Sequence, residues 1–327
     1  MLLLSEEDIE RVLPLPECML EAVDAIEEAE RAHAEGRTTV HRRIWLQHDR
    51  DQNVIVLPAI VDGIGAAVRT YSHGRFRPGL GALPKPRRLH GIVALYDDEL
   101  GMIAVIEDGR HLNRVRTGAP TGVAARHLAN PDASEMAIIG TGKLSAGQVA
   151  AVCAVRPIER IRVYSRTPEH VAEFVRELQE MLGIEVVGCG SGEEAVRDAA
   201  VVITITNARR PILERSWLAS GATVLSIASN EVAEDTIVDS RMVTTSIDRL
   251  LSDEEGREPI MTMVHEGRFG PDDLVELNAV VTGRAIGRQS PDELVTFIST
   301  GSAQWDVAVP AMAYRRARAQ GLGVEWP

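Results

Sequence analysis

From Glu135 onward the chain alternates short, continuous apolar runs with segments of helical spacing. The runs are EMAIIG (135–140), IRVYSR (161–166), IEVVGC (184–189), AVVITIT (200–206), ATVLSIA (222–228) and RMVTTSI (241–247). They are rich in β-branched residues and do not alternate apolar with polar, the pattern of strands covered on both faces. Between them, residues 144–155 and 168–182 carry apolar side chains at helical spacing. Strands and helices in turn predict an α/β domain built on a doubly wound, Rossmann-type sheet.

Residues 1–115 have a different pattern. Ser5 and Asp8 form a candidate capping box, and an amphipathic helix is expected over 17–35, stopped by Gly36. Runs at 53–61, 64–72, 91–97 and 101–107, joined by short turns containing Asp and Gly, predict an antiparallel meander in an α+β module. Alternation in these strands is imperfect, as burial of both faces, for instance in a dimer interface, would produce. At 327 residues the chain exceeds the usual single domain of roughly 100–200 residues, so two domains, or one with a large insertion, are expected.

Composition narrows the partners. A hydrophobic content of 45% with 25% charged residues is that of an ordinary globular protein, and the net charge of −13 repels phosphate backbones. The arginine pairs 42–43, 87–88 and 315–316 are brief, so no nucleic acid is expected. The opening MLLLSEEDIERVL is too short in apolar residues for a signal peptide or a membrane span, which points to a cytoplasmic protein with no membrane partner. Cys18, Cys153 and Cys189 lack metal-ligand or disulfide spacing and are expected as buried small hydrophobes. His90, His111, His127 and His265 also lack ligand spacing, so no metal is expected.

Candidate chemistry begins at Gly140-Thr141-Gly142-Lys143-Leu144-Ser145, between a strand and a helix. A dinucleotide fingerprint needs glycines there for a tight turn and for close approach of backbone to pyrophosphate, though Ser145 replaces the third glycine and ordinary strand-to-helix turns share the pattern. A P-loop is excluded, because Leu144 and Ala137 stand where it needs a hydroxyl residue and a glycine. The second strand ends at Ser165-Arg166-Thr167 without the acid that accepts the ribose hydroxyls of NAD. A hydroxyl beside a guanidinium suits a 2′-phosphate, so NADP is expected, with NAD the alternative; the plainer reading of Arg166 is a solvated strand-end arginine. The candidate cofactor residues are Gly140, Thr141, Gly142, Leu144, Ser165, Arg166 and Thr167, with Thr206 at the end of the fourth strand.

Three stretches carry a family resemblance: Arg116-Thr117-Gly118-Ala119-Pro120-Thr121, the glycine turn 140–148, and ELNAVVTGR through GRQSPDE over 276–293, with GSAQWD at 301–306 extending it. They resemble the ornithine cyclodeaminase and mu-crystallin family, which includes ketimine reductases and amino-acid dehydrogenases. The resemblance implies one domain for substrate binding and dimerisation, 1–115 plus 300–327, and an NAD(P)-binding domain, 116–299. It implies that Arg116, opening the connection between them, holds a substrate carboxylate, and that Thr117 lies near the cofactor phosphates. Arg69 matches a family lysine; it can orient a carboxylate but does not readily give up a proton. A third basic position matches Arg43, with Arg42 its close competitor. Where cyclodeaminases carry an aspartate after the fifth strand, this chain has Asn230, which does not titrate. The adjacent Glu231 substitutes if its loop turns inward; otherwise Glu231 is solvated and Asn230 only positions substrate or nicotinamide. Asp306 either lines the cleft with Trp305 or caps the final helix, and the loop 73–88 is expected to shape the pocket for the substrate side chain. The resemblance thus implies a homodimeric NAD(P)H-dependent reductase or dehydrogenase of a small imino or amino acid. A cyclodeaminase using NAD and a cofactor-binding protein without turnover remain the alternatives.

Overall fold

The computed structural model describes residues 1–49, 52–73, 91–97, 99, 101–228, 230–252 and 257–327. Its first sheet is assembled from β1 (Leu2–Leu4), β2 (Thr38–Val40), β3 (Ile44–Asp49), β4 (Gln52–Val61), β5 (Gly65–His73), β6 (Gly91–Tyr96), β7 (Met102–Glu107) and β16 (Val324–Glu325). The order is β16-β1-β7-β6-β5-β4-β2, with β3 also paired to β4. β4 to β7 form the antiparallel meander that the turn chemistry predicts. β1 departs from that pattern by running parallel to β7, with Leu2 and Leu4 buried, and β16 pairs with β1, so both chain ends close the same sheet. Two helices at the N-terminus, α1 (Glu6–Val12) and α2 (Met19–Ala34), precede the meander. Ser5 and Asp8 make the expected reciprocal capping box on α1, and Gly36, at φ 74°, follows α2 in the left-handed region that a residue with Cβ resists. The helix expected from residue 17 begins at Met19, after a turn over 15–18.

The second sheet holds β8 (Glu135–Ile139), β9 (Arg160–Tyr164), β10 (Glu185–Gly188), β11 (Val201–Thr204), β12 (Thr223–Ser226), β13 (Arg241–Thr244), β14 (Leu274–Glu276) and β15 (Val295–Ile298). Every neighbouring pair is parallel, in the order β10-β9-β8-β11-β12-β15-β13-β14. β8, β11, β12 and β15 are almost wholly buried, as their unbroken apolar runs require. The order reverses between β8 and β11, and in open α/β sheets such a switch point opens a crevice at the carboxyl ends of the strands. The fold is therefore the expected α/β, doubly wound sheet joined to an α+β module.

One long helix was not foreseen. α3 (Arg110–Leu128) contains Pro120 and buries residues 118–125 on all sides, so it carries no apolar stripe to read. It packs against α2 and against α4 (Ser145–Cys153) and so bridges the two sheets' layers. Arg116, expected to open the connection between the domains, lies inside this bridging helix. The final helix (Trp305–Gln320) packs on the meander beside β4, β5 and β6. Among the described residues no helix is long and apolar enough to cross a membrane.

Candidate active site

The switch point is built by the turn after β8. Gly140 has φ 116°, and a Cβ there would lie 2.1 Å from the carbonyl oxygen of Ile205. Only glycine lets the β8 turn approach the end of β11 this closely. A Cβ at Gly142 would meet nothing nearer than Ser145 Oγ at 3.9 Å, so the space beside it is open. Leu144 stands at the N-cap of α4 and gives its first amides no side-chain partner. Such a terminus favours an anion. Ser145, in the place of the third fingerprint glycine, is buried, and its hydroxyl has no hydrogen-bond partner.

At the β11 end, Thr206 donates from its backbone N (2.6 Å) and its Oγ1 (2.7 Å) to Glu231 Oε1. Glu231 Oε2 accepts from Ala228 N (3.2 Å) and Ser226 Oγ (3.4 Å). Glu231 is therefore turned inward, at 1% exposure, and the solvated alternative does not hold. Burial raises its pKa, against the lowering effect of the bonds from Thr206. Asn230 adopts φ 66°, a left-handed conformation that asparagine tolerates, and its Oδ1 accepts from Glu258 N at 2.6 Å.

The other end of the site is an arginine pair, Arg69 buried and Arg116 partly buried. Arg69, on β5, donates from Nε to Asp108 Oδ2 (2.8 Å) and from a terminal nitrogen to Asn113 Oδ1 (3.1 Å), with its guanidinium 4.2 Å from the Tyr71 ring centroid. Arg116, one turn along α3, donates to the same Asn113 Oδ1 at 2.6 Å. Both guanidinium Nε atoms face Asp306 Oδ1, at 3.8 Å from Arg69 and 3.2 Å from Arg116. Burial works against the charge of Arg69, but Asp306 and Asp108 outweigh it and raise its pKa. Burial lowers Arg116, with Asp306 acting in the opposite direction and Arg69 adding to the fall. Asp306 does not cap the final helix: Gln304 holds that position, and Asp306 lies in the first turn, 1% exposed. Trp305 turns to the far side, donating from Nε1 to the buried Glu30.

Helix packing joins these two ends. A Cβ at Gly118 would lie 2.3 Å from Gly147 O, and Arg114 Nε donates to Lys143 O at 2.7 Å. The α3 turn carrying Arg116 and Thr117 therefore rests directly on the start of α4. The Thr117 hydroxyl is buried there without a partner. Arg43 is half-buried, 5.4 Å above the Trp45 ring, and its guanidinium lies 4.0 Å from where a Gly301 Cβ would stand. Arg42 instead makes a surface ion pair with Asp248.

A groove of about 590 Å³ lies past the carboxyl ends of β9 and β10, along α5 (Pro168–Leu182). Ser165, Arg166, Val171, Val175, Arg176 and Cys189 line it; Thr167 occupies the N-cap position of α5 without a side-chain capping bond and does not line the groove. Among the described residues no carboxylate lines the groove, and both guanidiniums project from exposed positions. Cys18 is buried as expected, whereas Cys153 and Cys189 are only partly so. Apart from His73, the loop 73–88 lies outside the described residues. Asp108 and Asn113 escaped the sequence pattern, because their partner Arg69 is 39 and 44 residues away.

The model of the ornithine cyclodeaminase/mu-crystallin family matches residues 4–321. A Delta(1)-pyrroline-2-carboxylate reductase of Bacillus cereus is 30% identical over 333 aligned positions, covering 99% of this chain and 98% of its own. The structure of the Thermococcus litoralis Delta(1)-pyrroline-2-carboxylate reductase in complex with NADH and L-proline matches with a TM-score of 0.86 at 28% identity, covering 100% of each chain. An archaeal alanine dehydrogenase dimer with bound NAD matches at 0.85 and 25%, over 100% of this chain and 99% of that one.

Proposed function

The chain belongs to the ornithine cyclodeaminase/mu-crystallin family, and from that footing we propose that it is an NADPH-dependent reductase of a small cyclic imino acid such as Delta(1)-pyrroline-2-carboxylate. The observation that carries this reading is the pairing of Arg69, on β5, with Arg116, on the α3 turn that rests against the start of α4. Guanidinium forks match a carboxylate bidentately, and packing already orients these two.

The residues fit a dinucleotide. Gly140, Thr141, Gly142 and Leu144 would hold the pyrophosphate at the open α4 terminus, with Thr117 and Thr206 flanking it. Ser165, Arg166 and Thr167 would hold the adenosine ribose in the adjoining groove, where two guanidiniums and no carboxylate favour a 2′-phosphate. NAD is the alternative cofactor. When bound, the reduced nicotinamide supplies the hydride that the imine carbon receives.

The chain's own groups do the rest. Arg116 and Arg69 fix the substrate carboxylate, with Arg43 on the Gly301 side, and so hold the carbon–nitrogen double bond in one orientation. Glu231, its pKa raised by burial, is assigned as the proton donor to the imine nitrogen, which makes the carbon electrophilic. Asn230 shapes the loop through its bond to Glu258. With an amide at 230, the proton exchange of a cyclodeaminase has less support.

Residues 1–115 with 300–327 are assigned to substrate binding and dimerisation, and 116–299 to the cofactor. Exposed Ile44, Trp45, Leu46 and Ile60 on β3 and β4 support a homodimer. Three cysteines outside any disulfide support a cytoplasmic setting. Titration of the protein with NADPH and NADH tests the cofactor assignment. NADPH is expected to bind more tightly, with the preference lost in Arg166→Ala; tighter NADH binding would overturn it.

A further inference from the structure

Asp306 is a buried carboxylate that the arginine pair leaves unsatisfied. Both its oxygens are shielded from solvent and, among the described residues, neither accepts a hydrogen bond; Oδ1 has the two guanidinium contacts at 3.2 and 3.8 Å. Asp108, the other acid of the cluster, is fully engaged, accepting from Arg69 Nε and, at 2.8 Å, from Asn113 Nδ2. A buried acceptor without a donor is costly, and a site that keeps one is waiting for a partner.

The charges of the cluster identify that partner. Arg69, Arg116, Asp108 and Asp306 are all buried or nearly so, and their formal charges sum to zero. Within these four groups a ligand bringing only a carboxylate would add a negative charge, left for the half-buried Arg43 alone to offset. A ligand that brings a carboxylate and a cationic nitrogen on the neighbouring carbon adds none. It gives the guanidiniums an anion and gives Asp306 a donor.

We propose that Asp306 recognises the protonated nitrogen of the substrate, so that the site selects zwitterionic imino and amino acids over carboxylic acids that have an oxygen in the same place. This rests on the carboxylate clamp assigned above. It makes Asp306 a specificity-determining residue of that site, which holds the nitrogen in its cationic form once Glu231 has supplied the proton to an imine, or as it arrives on an amino acid.

The experiment compares two ligands that differ at one ring atom, L-proline and tetrahydrofuran-2-carboxylate, binding to the full chain saturated with NADPH. The expected wild-type preference for proline is about tenfold or more, the scale of a hydrogen bond to a charged group. In Asp306→Asn the ratio is expected to fall toward one from both sides, with proline weakened and the ether acid tightened because a competing carboxylate is gone. A role limited to packing would weaken both ligands alike. Asp306→Ser is the second variant should the amide fail to fold. A wild-type ratio near one, or a ratio unchanged in either folded variant, overturns the proposal. Failure of both ligands to bind the wild-type protein would instead overturn the carboxylate clamp.

Discussion

Replacing Gly118 by alanine probes the joint on which the whole site depends. The added Cβ would lie 2.3 Å from the carbonyl oxygen of Gly147 and 2.6 Å from its carbon, where ordinary contacts begin at 3.4 Å. Both neighbours are backbone, so no side chain can rotate away. The helices must part by 3.4 − 2.3, about 1 Å. Overpacking of this kind costs ~1–3 kcal/mol, which lowers Tm by a few degrees in a chain of this size. Because α3 carries Arg116 and Thr117 while α4 follows the glycine turn, the same movement separates substrate clamp from cofactor cradle. A displacement of about 1 Å is worth ~100-fold in rate when it misaligns reacting groups. The assay is thermal unfolding together with NADPH oxidation by Delta(1)-pyrroline-2-carboxylate. Gly118→Ala is expected to lose stability and to lower kcat/KM by about one to two orders of magnitude. Gly270→Ala is the control, since a Cβ there meets nothing within 4 Å and φ is −165°. A Gly118→Ala protein with the Tm and kcat/KM of the control would refute the reasoning.

Two buried carboxyls give pH signatures. If protonated Glu231 is the donor, kcat/KM falls as pH rises through its raised pKa; Glu231→Gln is expected to remove that limb and slow turnover by about 10²-fold or more, and a variant that keeps the wild-type alkaline limb would count against the assignment. Glu30 is fully buried, and burial pushes its pKa up to about 7, against the bonds from Trp305 and Gln304. Raised above its unfolded value, it contributes stability at acid pH that is lost as pH climbs from about 4.5 to about 7. Both bonds fall on Oε1, which a glutamine keeps, so Glu30→Gln is expected to be more stable than wild type above neutrality, by on the order of 2–3 kcal/mol. Urea unfolding at acid and alkaline pH reads it, and identical pH dependence in the two proteins would contradict it.

Elements whose burial is one-sided or uniform over a strand were legible in the sequence. The helix over 168–182 has the expected bounds, and the central strands follow their apolar runs. α3 was hidden because burial on every side, among small residues, erases the periodic stripe. β14 was hidden by its length of three residues, whereas β15, no shorter than β10 to β13, was not among the runs read from the sequence. In the site, the glycine turn was readable because its chemistry is local. The arginine cluster was only half readable: Arg69 and Arg116 could be named, but Asp108 and Asn113 meet them through tertiary packing. Asp306 was left between the cleft and the helix cap, because the residue at which the final helix starts, Gln304 at its N-cap, is what decides between them.

Turnover of NADPH with Delta(1)-pyrroline-2-carboxylate, run beside ornithine as the second substrate, decides between reduction and cyclodeamination. Reduction of the imine to proline, with one cofactor oxidised for each product formed and no ammonia released from ornithine, is the expected result. Conversion of ornithine to proline and ammonia without net change in the cofactor, or binding of NADPH with no consumption by any cyclic imine, would contradict it.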